Sequence, residues 1–349
     1  MLLISDTLQL YAEASGQCIN FEKSSAYFSS NTFESQRLWI KQALGVREVD
    51  RFESYLGLPT LVGRAKYQTF AYLKERVWKK LQGWKDRMLS RAGKEVLIKA
   101  VAQSIPTYTM GVFLLPAKLC NELNSLCAQF WWGQTEDERK IHWKSWNFLT
   151  KQKREGGMGF RDIRSFNLAM LAKQGWRLLQ DQNLLLSRCF KAKYFPRCSF
   201  LEATNCPNSS YVWKSMLAAQ NILQACCFWR VGTGSSIRVL EDKWIPNHPE
   251  NKVLFQPEND EWEWRVSDLI DWSVQQWDRE RIYMLFNQFD AVAILRIPLS
   301  KRQVQDRLVW KFCCDGKYMV KSGYHVTCRL YDDTNGREES SVQRNDHKL

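Results

Sequence analysis

The stretch RAKYQTFAYLKERVWKKLQGW, Arg64 to Trp84, decides how the rest of the chain is read. Phe70, Leu73, Val77, Trp78, Leu81 and Trp84 return at helical intervals, with Lys74, Lys79 and Lys80 between them and Lys85 directly after. That pattern predicts a helix with one face for a core and another for water. A second helix is predicted from about Lys94 to Ser104, ended by Pro106. A third runs from Pro116 to a stop at Gly133 and turns Leu119, Leu123, Leu126, Cys127 and Phe130 inward. The three are expected to share a small core of Phe70, Val77, Trp78, Leu97, Val101, Leu123 and Phe130.

Outward from these helices, residues 5–15 read as a helix end stopped by Gly16, and Ile19–Phe28 as a strand. Residues 134–155 form a charged connection with several tryptophans, and helices are predicted at about 165–180, 184–194 and 211–223. Gly232-Thr233-Gly234-Ser235, between Trp229–Val231 and Ile237–Leu240, is a hairpin signal. Asp315-Gly316, between Leu308–Cys313 and Lys317–Val320, is another. The class expected is predominantly helical α+β. The polar run from Asp332 to Leu349 reads as a frayed tail.

The 349 residues carry 50 Lys and Arg against 37 Asp and Glu, a formal charge of +13, so a polyanionic partner is compatible with the composition. Arg64 to Lys99 alone holds eleven basic and three acidic residues, an excess of +8, more than solvation of a helix face requires. The 11 cysteines show no paired framework and point to a reducing compartment. The N-terminus has no basic n-region and no long apolar core, and no apolar run reaches the length of a bilayer span. Nucleus or cytoplasm is the default location, with no membrane partner.

Chemistry-bearing motifs are scarce. Two-metal catalysis needs carboxylates placed to hold both ions. The tempting Tyr331-Asp332-Asp333 follows the last apolar segment and runs into the polar tail, so no catalytic residue is assigned. No Cys-x-x-Cys occurs; His325 and Cys328 have the spacing of half a zinc site and lack a second pair, so no metal is expected. Gly156-Gly157-Met158-Gly159 lacks the Lys-Ser/Thr of a phosphate loop and reads as a tight turn.

Several stretches, in order, resemble reverse transcriptases of plant non-LTR (LINE-type) retrotransposons. Ser15-Gly16-Gln17-Cys18-Ile19-Asn20-Phe21-Glu22-Lys23-Ser24 and Tyr55-Leu56-Gly57 are similar to the segment downstream of that family's catalytic aspartates. Leu89-Ser90-Arg91-Ala92-Gly93-Lys94, Phe130-Trp131-Trp132-Gly133, Gly156-Gly157-Met158-Gly159-Phe160 and Phe166-Asn167-Leu168-Ala169 follow in the family's order. So do Trp229-Arg230-Val231-Gly232-Thr233-Gly234, Asp242-Lys243-Trp244-Ile245-Pro246, Asp306-Arg307-Leu308-Val309-Trp310 and Gly316-Lys317-Tyr318-Met319-Val320-Lys321-Ser322-Gly323-Tyr324. Two departures stand out: Leu240 where the family usually has Trp, and Gly323 where Ala is common.

The resemblance implies a palm end with the Y-L-G turn at 1–60 and a thumb-like helical bundle at 61–133. A connecting region at 134–300, the truncated start of a zinc-binding domain at 301–330 and the tail at 331–349 follow. It implies that the catalytic aspartates would lie before Met1 and that this chain alone is an inactive piece of an RNA-directed DNA polymerase, which uses magnesium when intact. Contact with a template–primer duplex, RNA or DNA, is implied for Tyr55, Leu56 and Gly57, where glycine allows close approach, and for Lys74, Lys79, Lys80, Lys85, Arg91 and Lys94. The other reading is a non-enzymatic relic or interaction protein whose basic helices bind nothing specific.

Overall fold

A computed structural model describes residues 2–29, 31–49, 54–85, 89–133, 140–254, 264–300 and 302–330. The chain divides into two compact units, Met1–Thr69 and Phe70–Leu349. The predominantly helical α+β class is what the structure has: helices throughout, with short two-stranded pairings.

In the first unit, α1 (Leu2–Ser15) ends at Gly16, φ 67°, whose N–H bonds back to Ala12 O at 2.9 Å. The strand expected over Ile19–Phe28 shrinks to β1 (Ser25–Ala26). The reason is local: the Asn20 side chain accepts from Lys23 N at 3.1 Å and its carbonyl from Ser24 Oγ at 2.8 Å, an alternative to pairing that folds the segment into a turn. After α2 (Glu34–Leu44), β2 (Arg47–Glu48) pairs parallel with β1. Glu48 is bridged by Arg37 at 3.4 Å and Lys41 at 3.1 Å. β3 (Ser54–Tyr55) and β4 (Leu58–Pro59) close an antiparallel hairpin. None of the described residues before Phe70 is fully buried.

The helix α3 (Lys66–Lys85) starts in the first unit and continues into the second. Its buried stripe is Phe70, Leu73, Val77 and Leu81, a clean three-and-four spacing. Trp78, expected in the core, is 42% exposed, because one residue past Val77 rotates the side chain about a quarter-turn off the stripe. Leu97 and Val101 are half-buried; Phe70, Val77, Leu123 and Phe130 are fully buried. The helix α4 (Arg91–Leu97) is capped by Ser90 and runs on as a π-helical turn, Ile98–Ala102; α5 (Thr107–Met110) and α6 (Ala117–Trp132) follow, α6 closing at Gly133, φ 74°.

After α7 (Trp146–Thr150), the buried helix α8 (Ile163–Gln180) organises the second unit and is touched by α5, α6, and the helices α9 (Leu185–Tyr194), α10 (Tyr211–Leu217) and α11 (Gln220–Cys226). Asn167, fully buried on α8, accepts from Leu115 N at 2.7 Å and donates to the carbonyls of Met110 and Phe113, both at 2.9 Å. α5 and α6 thus pack against α8, while α3 and α4 meet on α6, where Trp84 and Lys94 both reach Phe130.

One apolar cluster surrounds Trp213, Trp310 and Tyr318. A second gathers Trp244, Val266, Ile282 and Ile294, with Trp229 against both. The strand β5 (Cys227–Arg230) precedes β6 (Ile270–Asp271), β7 (Gln276–Trp277), α12 (Arg279–Leu285), α13 (Gln288–Leu295) and β8 (Arg307–Trp310). Both expected hairpins are corrected. Cys227–Arg230 pairs antiparallel with Arg307–Trp310, while Val239 N bonds to Trp264 O at 3.0 Å and Val266 N to Ile237 O at 3.0 Å. After β8, Asp315-Gly316 does turn the chain, with Trp310 N donating to Gly316 O at 2.8 Å, but residues 317–319 lead into a helix, α14 (320–330), instead of a return strand.

Gly323 sits in α14, and a Cβ there would stand 1.8 Å from the hydroxyl of Tyr318. Tyr318 is 1% exposed and donates to Ala169 O at 2.9 Å, so it cannot step aside. The departure from the alanine common in similar sequences thus has a packing cause. Gly323→Ala is expected to destabilise the chain by about 1–3 kcal/mol through overpacking, read as a lower urea midpoint; an unchanged midpoint would contradict this packing.

Candidate nucleic-acid interface

Tyr55 and Leu58 face each other across the β3–β4 hairpin, leaving Leu56 and Gly57 as its two-residue loop. Both have positive φ, 50° and 76°, which defines a primed turn matched to the twist of the strands. Glycine takes that conformation freely, but leucine in the left-handed region is strained by about 1–2 kcal/mol. Tyr55 and Leu56 are 72% and 73% exposed, so the strain presents an aromatic and an aliphatic side chain to solvent. This tip belongs to the first unit.

The basic residues expected at the site lie in the second unit and fall into groups. Lys79 and Lys80 are exposed on α3, away from its buried stripe. Lys74 is half-buried and bridges to Glu122 of α6 at 2.9 Å, which ties α3 to α6. Lys85 ends α3, and its side chain lies outside the described residues. Arg91 is exposed on the first turn of α4. Lys94, half-buried, stands 5.8 Å from the ring centroid of Phe130, and burial followed by the charge of Arg91 holds its ammonium below the usual lysine range. Trp84 reaches the same Phe130 at 6.1 Å, so α6 brings the end of α3 and the start of α4 together. Of the other cations in the segment, Arg64 and Lys66 are exposed, Arg76 lies 5.1 Å over Tyr72, and Arg87 is outside the described residues.

Lys99 is committed elsewhere. Its Nζ donates to Glu95 Oε1 and to Met158 O, both at 2.7 Å, and Lys153 Nζ approaches Glu95 at 2.9 Å. This knot holds the Gly156–Gly159 turn, where a Cβ on Gly157 would lie 2.2 Å from Lys151 O. The tight-turn reading of the glycines is thereby explained: backbone packs on backbone. Hydrogen bonds from Lys153 first and Lys99 second lower the Glu95 carboxyl below the usual glutamate value, against burial. A lowered folded pKa contributes stability that is complete above about pH 4.3 and lost as pH falls through the folded value. Glu95→Gln is therefore expected to cost about 1–2 kcal/mol near neutral pH, with the difference from wild type shrinking when the pH is taken from neutral into acid. Denaturation midpoints of both proteins at neutral and acid pH test this; a difference that does not shrink in acid would contradict it.

Two features escaped sequence reasoning. Arg154, Lys321 and Arg329 gather around half-buried His325, which is held below the usual histidine value by burial first and then by those cations. His325 Nδ1 meets Gln152 Nε2 at 3.2 Å. The partners lie 173 positions apart in the chain, and no local pattern could join them. Likewise, His248 and Asp290 form a buried pair at 2.6 Å.

Among the described residues no three His, Cys, Asp or Glu side chains converge to hold a metal ion. Tyr331-Asp332-Asp333 lies outside them. None of the eleven cysteines, all of them among the described residues, forms a disulfide. Burial pushes the thiols of Cys120 and Cys127 up to about 12 and that of Cys226 to about 11, so these three are inert neutral groups near pH 7. No described helix is long and apolar enough to cross a membrane.

What the fold defines is a helical α+β protein with a basic helical face and no described metal centre. No family model matches the chain. It is 38% identical over 143 residues to the "Uncharacterized mitochondrial protein AtMg00310" of Arabidopsis thaliana, covering 93% of that protein and 41% of its own length. It is also 30% identical over 277 residues, 77% of its length, to the "Putative ribonuclease H protein At1g65750" of the same plant, of which it spans 44%. The chain belongs to the family of the Arabidopsis mitochondrial protein.

Proposed function

We propose that the chain is a retrotransposon-derived piece of a LINE-type reverse transcriptase that retains a surface for a template–primer duplex and does not polymerise. The observation that carries this reading is the exposed cationic group on α3 and α4, Lys79, Lys80 and Arg91, fixed on α6. Similarity to a protein named as a ribonuclease H protein supports a nucleic-acid setting. The Tyr55–Leu56 tip, strained and exposed, supports a contact role for the first unit. A surface of this kind binds through phosphate neutralisation, so affinity depends steeply on salt.

The test is the salt dependence of binding to an RNA–DNA primer–template. Replacing Lys79, Lys80 and Arg91 by glutamine is expected to flatten the slope of log affinity against log salt by about 0.9 for each phosphate no longer neutralised. An unchanged slope would instead favour a relic that binds nothing through these helices. In the same preparation no primer extension is expected with dNTPs and magnesium; extension that survives removal of contaminating polymerases would overturn the inactive reading.

A further inference from the structure

A cleft of about 700 Å³ opens in the second unit between α9, the loop residues 195–202 that follow it, β5 and residues 236–243, far along the chain from the basic helices. Its volume lies in the range of small-ligand sites, about 300–1,000 Å³. Three kinds of group line it. The acids are largely spoken for: Glu202, Glu241 and Asp242 all pair with one arginine, Arg238, which bridges Glu202 at 2.8 Å and Asp242 at 3.6 Å and also contacts Glu241. Five more cations, Lys191, Arg197, Lys243, Lys252 and Arg265, complete the charged lining and leave it electropositive. Phe228 and Trp229, successive residues of β5 and both half-buried, are also among its lining residues.

The remaining feature is Ser187. It is 3% exposed, lines the cleft, and its hydroxyl has no hydrogen-bond partner among the described residues. Buried hydroxyls are nearly always satisfied, so an orphan at the wall of a cleft is a place where a ligand atom belongs. Ser187 sits in the first turn of the ten-residue helix α9, whose leading N–H groups have no intrahelical acceptor, and Leu184 at the cap position provides no side-chain bond. Lys191 lies one turn further on the same helix, and its ammonium donates to Gln182 Oε1 at 3.2 Å. An anion is what a donor-rich, cation-rimmed wall of this kind recognises.

We propose that this cleft binds a nucleotide unit, its phosphate held by Ser187 and the surrounding cations and its base against Phe228 and Trp229. The chemistry recognised is a phosphate ester carrying an aromatic base, either as a free mononucleotide or as one residue of a single strand. This inference does not depend on duplex binding by α3 and α4.

The full chain is titrated with adenosine 5′-monophosphate, adenosine, inorganic phosphate and a short oligodeoxyadenylate, following tryptophan fluorescence and binding heat. The mononucleotide is expected to saturate, about tenfold tighter than phosphate or adenosine alone, because it uses both halves of the site. Lys252→Met with Arg265→Met should weaken it by about tenfold or more, and Ser187→Ala several-fold, with thermal melting unchanged. A silent mononucleotide with an oligonucleotide that binds and is weakened by Lys252→Met/Arg265→Met assigns the ligand to a strand. No saturable binding by either, or binding that is the same in the double variant as in wild type, overturns the proposal, and the second outcome assigns any oligonucleotide affinity to surfaces outside the cleft.

Discussion

His248→Ala is expected to lower the unfolding free energy by about 3–5 kcal/mol, the cost of breaking a buried, hydrogen-bonded pair from one side. The side chains of His248 and Asp290 are 2% and 0% exposed and meet at 2.6 Å. Asp290 also accepts from Leu254 N and from Asn287 Nδ2, the latter at 3.0 Å, so one carboxylate joins the Trp244–Leu254 loop to the start of α13. Removing the imidazole leaves the buried Asp290 side chain short of one partner, with its other bonds intact. Adding Asp290→Asn in that background removes the charge and keeps an acceptor for Leu254 N, so the double variant is expected to recover part of the loss. Urea denaturation of the three proteins measures both steps. A cost below about 1 kcal/mol for His248→Ala would mean that the pair is solvated and does not anchor the loop.

What was legible in the sequence was what is decided within a few residues. The stripe of α3 and the proline entry and glycine exit of α6 are local events, and their residues announce them. What a distant partner decides is not written locally. Lys74 and Lys99 look like their neighbours in a basic run, yet one is taken by Glu122 and the other by Glu95 and a carbonyl 59 positions away. Lys79, Lys80 and Arg91, by contrast, are exposed. The turn at Tyr55-Leu56-Gly57 was marked as a motif, but its strain at Leu56 became visible only with the backbone angles. The cleft beside α9 draws on residues from Leu178 to Leu308 and left no mark in the sequence at all.

The hairpin expected at Gly232-Thr233-Gly234-Ser235 failed for a reason that makes a sharp prediction. Its backbone donors are claimed by Asp306: one carboxylate oxygen accepts from Gly232 N and Gly234 N, both at 2.8 Å, and the other from Ser236 N at 2.9 Å. Asp306 directly precedes β8 and the loop directly follows β5, so the carboxylate fixes the pairing of Arg230 with Arg307 and of Cys227 with Trp310. Two stretches more than seventy positions apart, each recognisable alone, prove to be halves of one device. Asp306→Ala would strand three donors in a region where Gly232 and Gly234 are buried, at a cost of about 3–5 kcal/mol. Asp306→Asn keeps an acceptor for some of them and should lose about half as much. Hydrogen exchange separates a pin from a mere contact: in the alanine variant the amides of 227–230 and 307–310 should lose protection together with those of 232–236. If the loop alone opens while the strand pair keeps its protection, the β5–β8 register is held by the packing of Trp229, Leu308 and Trp310, and the carboxylate only tidies the loop.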